Sequence, residues 1–246
     1  MTGLGTIVNT AAVIAGSIIG IILRHGIPER FKNTIMQAIS LSVIFIGISG
    51  VLQGIFKILS GGKIDRQYIM LMIFSLIIGG IVGELLKIED FLDSLGERIK
   101  SSLGSRIRSE NSRFTEGFVT ASLVFCVGAM AIVGSLEDGL NHNFSILFAK
   151  SILDGVSSII FAATMGIGVM FSGAVILFYQ GSITLLANFL KPLLTDVVIA
   201  QTSMVGSVLI FAIGLNMLGI SKIKVGNLLP AIFVPMLWYL ITTLFR

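Results

Sequence analysis

The sequence contains few charged residues, and this scarcity excludes the ordinary class of soluble domains. Only 12% of its 246 residues are Asp, Glu, Lys or Arg, whereas soluble domains carry roughly 25%. Apolar side chains account for 54% of the residues, and the mean hydropathy is +0.99. Because apolar runs of about 20 residues accompany this composition, the chain is predicted to span a lipid bilayer.

Cysteine, proline and the motifs of soluble enzymes are also scarce or absent. With Cys126 as its one cysteine, the chain cannot form an intrachain disulfide. The four prolines contrast with 28 glycines, which let membrane helices pack closely. The sequence lacks a phosphate-binding glycine loop, an HExxH motif and a GxSxG motif in a strand–turn–helix context. We therefore expect no enzymatic activity and no cofactor.

The chain is basic, with a net charge of +4 and a pI of about 9.4. This excess of basic residues does not indicate a nucleic-acid partner. The basic residues cluster in loops, where the preference of Lys and Arg for the cytoplasmic side of a membrane accounts for them. The same bias predicts that the N-terminus lies outside. Residues 1–23 lack a basic n-region and are about as long as a full span, which favours a retained first helix over a cleaved signal peptide.

The apolar runs predict an all-α membrane protein with seven or eight transmembrane helices in a single integral membrane domain, residues 1–246. The run 143–190 is too long for one span, because a helix of that length would exceed twice the bilayer core. A glycine-rich stretch, 166–173, breaks it, either as a full turn between spans or as a re-entrant break. The predicted spans are 4–23, 35–56, 69–86, 118–136, 144–165, 172–190, 197–215 and 228–244.

The charged segment 87–116 contains an amphipathic pattern. Leu92, Leu95, Ile99 and Leu103 recur at three- and four-residue spacing, with charged residues between them. Such a helix is expected to lie along the cytoplasmic interface, or to serve as a plain connection.

Small residues recur every four positions in the first three spans and predict faces where helices pack closely. These faces could lie within the bundle or between protomers, and a homodimer is the expected assembly. Residues 42–55 and 207–220 match loosely, which fits either an internal repeat or chance similarity between apolar helices. The small-residue faces are Ala12, Gly16 and Gly20; Gly50 and Gly54; and Gly79 and Gly83.

Two charged residues, Lys150 and Asp154, stand inside the predicted fifth span. Asp154 is ten residues into that span, roughly 15 Å deep, where a charge is costly. Lys150 precedes it by four residues, so both lie on one helical face. The pair either neutralises itself within one helix or faces a polar cavity and meets an ion or solute. Because the pair alone leaves hydrogen-bonding groups unsatisfied, further partners are expected.

Other polar residues could supply those partners. Gln180 and Ser182 are central in the sixth span, which would place them at the depth of Asp154 if the two spans are antiparallel neighbours. Glu137 and Asp138, at the end of the fourth span, are either solvated loop carboxylates or an acidic mouth for cations. One histidine beside them is too little to predict a metal site. Secondary lining residues, which could equally be interhelical hydrogen bonds, are Asn9, Gln201, Asn216 and Asn227.

Four segments, 83–100, 123–140, 150–187 and 213–231, resemble the YqgA/YdfK-like family of bacterial polytopic membrane proteins, a domain-of-unknown-function family. The resemblance covers nearly the whole chain and implies an inner-membrane protein with many helices. It supplies no functional residues. The family usually has proline after Val127 and Gly128, whereas this chain has Ala129, so no proline is present to support a kink in the fourth span.

These observations together favour a small-solute or ion transporter or channel of the bacterial inner membrane. Its site would lie at mid-membrane on the fifth and sixth spans, and the solute or ion is not identified by the sequence. No nucleotide-binding motif is present, so an ion gradient would drive any coupled transport. The alternative is a membrane scaffold or regulatory partner that transports nothing, which predicts a dry interior with every polar group paired.

Overall fold

The computed structural model describes residues 2–24, 28–58, 64–102 and 114–244, which are almost entirely helical. Helices dominate because only they, or closed barrels, satisfy every backbone polar group inside hydrocarbon. The helices are α1 (Leu4–Arg24), α2 (Glu29–Ile55), α3 (Ile69–Leu86), α4 (Ile88–Ser102), α5 (Phe114–Cys126), α6 (Ala129–Asn141), α7 (Ser145–Met165), α8 (Gly168–Leu185), α9 (Ala187–Leu190), α10 (Asp196–Met217), α11 (Val225–Leu228), the 3₁₀ helix Leu229–Phe233 and α12 (Val234–Leu244).

Seven helical segments of the described chain are long and apolar enough to cross a membrane, and a bent pair could form an eighth span. The all-α membrane fold predicted from the apolar runs is thereby confirmed. Two short antiparallel strands that were not predicted, β1 (Phe56–Ile58) and β2 (Ile64–Arg66), lie between the second and third spans. Their side chains are mostly exposed, so hydrophobic periodicity carries little signal for them.

The fourth predicted span is not one straight helix. It is divided into α5 and α6, which meet at an angle of 61°. The missing proline gave no support for a kink here, yet the chain bends without one. Gly128 stands at the break with φ +148°, a conformation that glycine adopts at low cost and other residues rarely adopt. Glycine therefore supplies the bend.

The glycine-rich stretch 166–173 is a full turn between two helices of span length. Helix α7 ends at Met165, where Gly166 takes φ +85° and its N–H donates to Ala162, and α8 begins at Gly168. Helix α8 then runs back antiparallel to α1, since Gly173 faces Ile14 and Gln180 bonds to Asn9. Both helices are long and apolar enough to be separate spans, which favours the full turn over the re-entrant break.

The chain packs as two compact units, residues 1–39, 90–126 and 130–189, and residues 40–89, 127–129 and 190–246. A single domain over the whole chain stays a prediction. In the first unit α1 and α7 run parallel, because Gly5 faces Leu147, Gly16 faces Gly155 and Gly20 faces Ile159. In the second unit α10 packs on the latter half of α2, because Gly47, Gly50 and Gly54 face Phe211, Ser207 and Met204. Helix α3 packs on α11 and the 3₁₀ helix.

All three small-residue faces are occupied by helices of the same chain. Gly16 meets α7, Gly50 and Gly54 meet Ser207 and Met204 on α10, and Gly79 meets Ala231. These faces therefore no longer support a homodimer, which stays a prediction. The segments 42–55 and 207–220 lie against each other in the second unit, which leaves the internal repeat untested.

The predicted amphipathic segment contains helix α4, in which Phe91 has 61% of its surface exposed and Leu92 is half-buried. The side chains of Leu95 and Ile99, and residue Leu103, lie outside the described residues. The apolar side of this helix beyond Ser94 is therefore still a prediction.

Candidate functional site

Four side chains from three helices form a hydrogen-bonded cluster in the first unit, which we call the polar centre: Asn9 on α1, Lys150 and Asp154 on α7, and Gln180 on α8. The Lys150 ammonium lies 2.6 Å from Asp154 Oδ2. Asn9 Nδ2 donates to the same carboxylate oxygen at 3.1 Å and to Gln180 Oε1 at 3.3 Å. The predicted pairing of Lys150 with Asp154, and the predicted proximity of Gln180, are present in the structure.

Helix geometry and glycine spacing explain why these residues meet. Lys150 and Asp154 are four residues apart and share a face of α7. Helix α1 approaches that face closely because Gly16 lies against the Gly155 carbonyl oxygen and Ser158. Gly173 lets α8 approach α1 in the same way, since a methyl group there would lie 2.9 Å from Ile14. Gly16 and Gly173 thus let the helices approach closely enough for the polar side chains to form hydrogen bonds.

The polar centre is almost completely removed from solvent and lipid. The exposed fraction is 0% for Asn9 and Gln180, 6% for Asp154 and 7% for Lys150. Asp154 is nine residues from the start of α7, about 14 Å along its axis. A single charge at that depth would cost several kcal/mol, and the Lys150–Asp154 pair avoids leaving either charge unpaired.

Several buried polar atoms of this region have no hydrogen-bond partner in the described protein. Asn9 Oδ1 and Gln180 Nε2 belong to the polar centre itself. Three hydroxyl oxygens lie within about one helical turn of these two residues, on Thr6 and Thr10 of α1 and on Thr184 of α8. Buried polar groups are normally paired, because an unpaired one costs about 1–3 kcal/mol. These five atoms are therefore available to hydrogen-bond with water or with a small ligand.

Asp138, which was predicted as a loop or mouth carboxylate, has a different position. It is fully buried, and its two oxygens accept hydrogen bonds from the backbone N–H groups of Gly3, at 2.8 Å, and Gly5, at 3.1 Å. The first N–H groups of a helix have no intrahelical partner, and a carboxylate is favoured beside them. Asp138 therefore caps the N-terminus of α1, which holds α6 against that helix.

The Asp138→Ala variant should lose about 1–3 kcal/mol of unfolding free energy, because the N–H groups of Gly3 and Gly5 would lose their acceptor. Denaturation in detergent would measure the loss. Glu137→Ala is the matched control, since the neighbouring carboxylate is half-exposed and accepts only from Asn141, one turn away. Equal stability of both variants would contradict the capping role.

Two other predicted site residues do not join the polar centre. Ser182 is half-exposed, and its hydroxyl donates to the Phe178 carbonyl oxygen of its own helix at 2.6 Å. Its separation of two positions from Gln180 turns it to nearly the opposite side of α8. Glu137 likewise bonds within its own helix, at 3.0 Å from Asn141.

The remaining secondary residues belong to the second unit. Gln201 is buried on α10. Asn216 closes the loop after α10, because its side chain bonds to the Ile223 backbone at 2.7 and 2.9 Å. Asn227 is buried and bonds to Glu84 and, at 2.7 Å, to the Glu89 backbone N–H. Asn216 thus fixes a local loop, whereas Asn227 connects α11 to α3 and α4.

The importance of α1 was not predicted from the sequence. It treated Asn9 as secondary lining, whereas Asn9 connects Asp154 to Gln180. Thr6, Asn9 and Thr10 follow an i, i+3, i+4 spacing and so share one helical face, a signal that was available in the sequence. No group of three His, Cys, Asp or Glu side chains that could hold a metal ion occurs within the described ranges.

Comparison with known proteins agrees with this architecture. Residues 4–240 match the family model described as "Protein of unknown function (DUF554)". The chain is 35% identical to the uncharacterized membrane protein YdfK of Bacillus subtilis (strain 168) over 94% of this chain and 93% of that protein. It is 28% identical to the uncharacterized protein YqgA of Escherichia coli (strain K12) over 95% and 94% respectively.

No solved structure matches the chain. The family match extends from the start of α1 into α12 and includes every residue of the polar centre. On this evidence the chain belongs to the DUF554 family, whose relatives in Bacillus subtilis and Escherichia coli it resembles along nearly their whole length.

Proposed function

We propose that the protein is a transporter or channel for a small solute or ion, and that the polar centre is its binding site. The observation that carries this proposal is the set of buried polar atoms without partners around a buried Lys150–Asp154 pair. Ionisable residues inside membrane-spanning segments are rare, and they commonly mark the pathway of an ion or solute.

The composition of the polar centre supports a small ligand. It offers one carboxylate, one ammonium and two amides, which together can hold an ion or a compact polar solute. Its four residues come from α1, α7 and α8, so relative movement of these helices would open or close it. Discontinuous helices beside a mid-membrane site are common in transporters, and the bent pair α5 and α6 has that form.

The alternative function, a scaffold or regulatory partner without transport, has weaker support. It requires an interior in which polar groups pair with one another, whereas Asn9 Oδ1, Gln180 Nε2 and nearby hydroxyl oxygens have no hydrogen-bond partner among the residues that the structure describes. The exposed Phe91 on α4 favours a docking role.

The proposal also includes the membrane location and the orientation of the protein. It places the chain in the bacterial inner membrane with its N-terminus outside, as the distribution of Lys and Arg predicts. It assigns no enzymatic activity and no nucleic-acid partner, and it leaves the homodimer as an expectation.

Flux through proteoliposomes tests the proposal. Radiolabelled sodium, rubidium and a panel of amino acids would be the probes, and Asp154→Asn should reduce the uptake of a transported probe at least about tenfold by removing its charged ligand. Asp65→Asn, the same change at an exposed strand position, is the control and should transport normally. Unchanged uptake by folded Asp154→Asn protein would reject the site.

A further inference from the structure

The hydrogen bonds of the polar centre determine which atom of each amide group stays unpaired. A carboxylate only accepts hydrogen bonds, so Asp154 binds the nitrogen of the Asn9 amide and leaves Asn9 Oδ1 as an acceptor. The same nitrogen donates to Gln180 Oε1, which leaves Gln180 Nε2 as a donor. Neither of these two atoms has a partner among the residues that the structure describes. The Lys150–Asp154 pair thus orients two amides, one with an unpaired acceptor and one with an unpaired donor.

The two unpaired atoms are close enough for one small molecule to bridge them. A hydrogen bond of 3.3 Å joins their amide groups, so Asn9 Oδ1 and Gln180 Nε2 lie within about 8 Å of each other. An amide presents a carbonyl oxygen and an N–H in one planar group, and hydrogen bonds of about 2.9 Å on both sides let it span that gap. Its carbonyl oxygen would accept from Gln180, and its N–H would donate to Asn9.

The charges of the polar centre disfavour a charged ligand. Between their first and last turns, α1, α7 and α8 carry only two charged residues, Lys150 and Asp154, whose charges cancel. A bound cation or anion would therefore add one uncompensated charge to a region in which Asn9 and Gln180 are fully buried. Such a charge is strongly unfavourable inside a membrane protein, whereas a neutral solute adds none.

Three threonine hydroxyl groups are available to the rest of such a solute. Thr6 and Thr10 lie on the α1 face that bears Asn9, and Thr184 lies about one turn beyond Gln180 on α8; their oxygens are buried and have no partner within the described ranges. A hydroxyl group both donates and accepts, so these residues can pair with a second N–H or a second oxygen of the ligand. Because glycines bring α1, α7 and α8 close together, the site suits a solute of only a few non-hydrogen atoms.

We propose that the polar centre binds a small uncharged amide, the class that includes primary carboxamides and urea. The carbonyl oxygen of the ligand accepts from Gln180 Nε2, and its N–H group donates to Asn9 Oδ1. The Lys150–Asp154 pair holds both side chains in the required orientation, which explains why a site for a neutral solute contains two buried charges. This inference rests on the proposed transport function and specifies its substrate class.

Three molecules of nearly the same shape test the charge of the ligand on the unaltered protein. Acetamide is neutral, acetate carries one negative charge, and acetamidinium carries one positive charge. The rise in unfolding temperature with the concentration of each molecule reports its affinity in detergent solution, with sodium chloride as the correction for ionic strength. Acetamide should bind at least about a hundredfold more tightly than either ion. Absence of stabilisation by acetamide, or equal affinity for one of the ions, would overturn the proposal.

Two further probes test whether the ligand needs both a donor and an acceptor. Acetone has the shape and the carbonyl oxygen of acetamide but no N–H, so it should bind at least about tenfold more weakly. Glycerol offers hydroxyl groups in place of an amide and should also bind more weakly than acetamide. Equal affinity for acetone and acetamide, or tighter binding of glycerol, would overturn the assignment to the amide class.

The Gln180→Met variant tests the donor of the site. Methionine keeps the length of the glutamine side chain but removes its N–H groups, so the affinity for acetamide should fall at least about tenfold. Gln53→Met, the same substitution at an exposed position of α2, is the control and should bind acetamide as the unaltered protein does. Unchanged affinity in folded Gln180→Met protein, or an equal loss in both variants, would contradict the role of Gln180.

Binding and transport together separate the two proposals. Acetamide entry into proteoliposomes, followed as osmotic swelling by light scattering, should be faster with the unaltered protein than with Gln180→Met. If acetamide binds but neither it nor another probe crosses the membrane, the amide site stands and transport is rejected. If acetamide does not bind but uptake of sodium, rubidium or an amino acid depends on Asp154, the protein is a transporter and the amide ligand is rejected.

Discussion

The Lys150→Met variant should lose about 3–5 kcal/mol of unfolding free energy, a large fraction of the stability of most proteins. Methionine keeps the apolar stem of lysine but leaves the Asp154 carboxylate, which is 6% exposed, without its ammonium partner. The hydrogen bond from Asn9 alone does not balance a buried charge. Equilibrium unfolding in mixed detergent micelles would measure the change, with recovery of folded protein as a first indication.

The double variant Lys150→Met, Asp154→Leu is the decisive control. Replacing both members of a buried ion pair by apolar residues of similar size is often neutral or stabilising, because neither charge needs to be desolvated. We expect the double variant to recover most of the lost stability and to be inactive in flux. Recovery of stability together with activity would contradict a functional role for the pair.

Gly16→Ala should destabilise the first unit by about 2–3 kcal/mol, even though alanine is the better helix former. The added methyl group would collide with the Gly155 carbonyl oxygen and with Ser158 Oγ. The carbonyl belongs to the α7 backbone and cannot rotate away, so α1 and α7 would have to separate. The hydrogen bond between Asn9 and Asp154 would lengthen with them.

Gly181→Ala provides the matched control, because Gly181 also lies inside a helix but has open space where the methyl group would be placed. It should keep or slightly raise the stability through helix propensity alone, by up to about 1 kcal/mol. The difference in unfolding temperature between the two alanine variants isolates the effect of close packing. Equal unfolding temperatures would contradict the close approach of α1 to α7.

The sequence predicts the helices of this protein well because apolar runs of span length have few other stable forms. The third span, Ile69–Leu86, has the predicted bounds, and the turn after Met165 lies where the glycines indicate. The bend at Gly128 was not predicted, because glycine permits a bend without requiring one.

Only the part of the candidate site that depends on local sequence spacing could be predicted. Lys150 and Asp154 are four residues apart, so helical geometry alone pairs them. Asn9 is 145 residues from Asp154, and nothing in the sequence shows that α1 and α7 lie side by side. The same holds for Asp138, whose partners Gly3 and Gly5 are more than 130 residues away. Such contacts depend on tertiary packing, which one sequence does not specify.

The cap that Asp138 places on α1 bears on the order in which the protein is assembled during synthesis. Helix α1 is translated more than 130 residues before its partners, since its hydrogen bonds at Gly3, Gly5 and Asn9 are to Asp138, Asp154 and Gln180. Those residues are translated only after more than half of the chain. Helix α1 must therefore wait with its polar face unpaired, and it reaches its final position only when α6, α7 and α8 have been inserted.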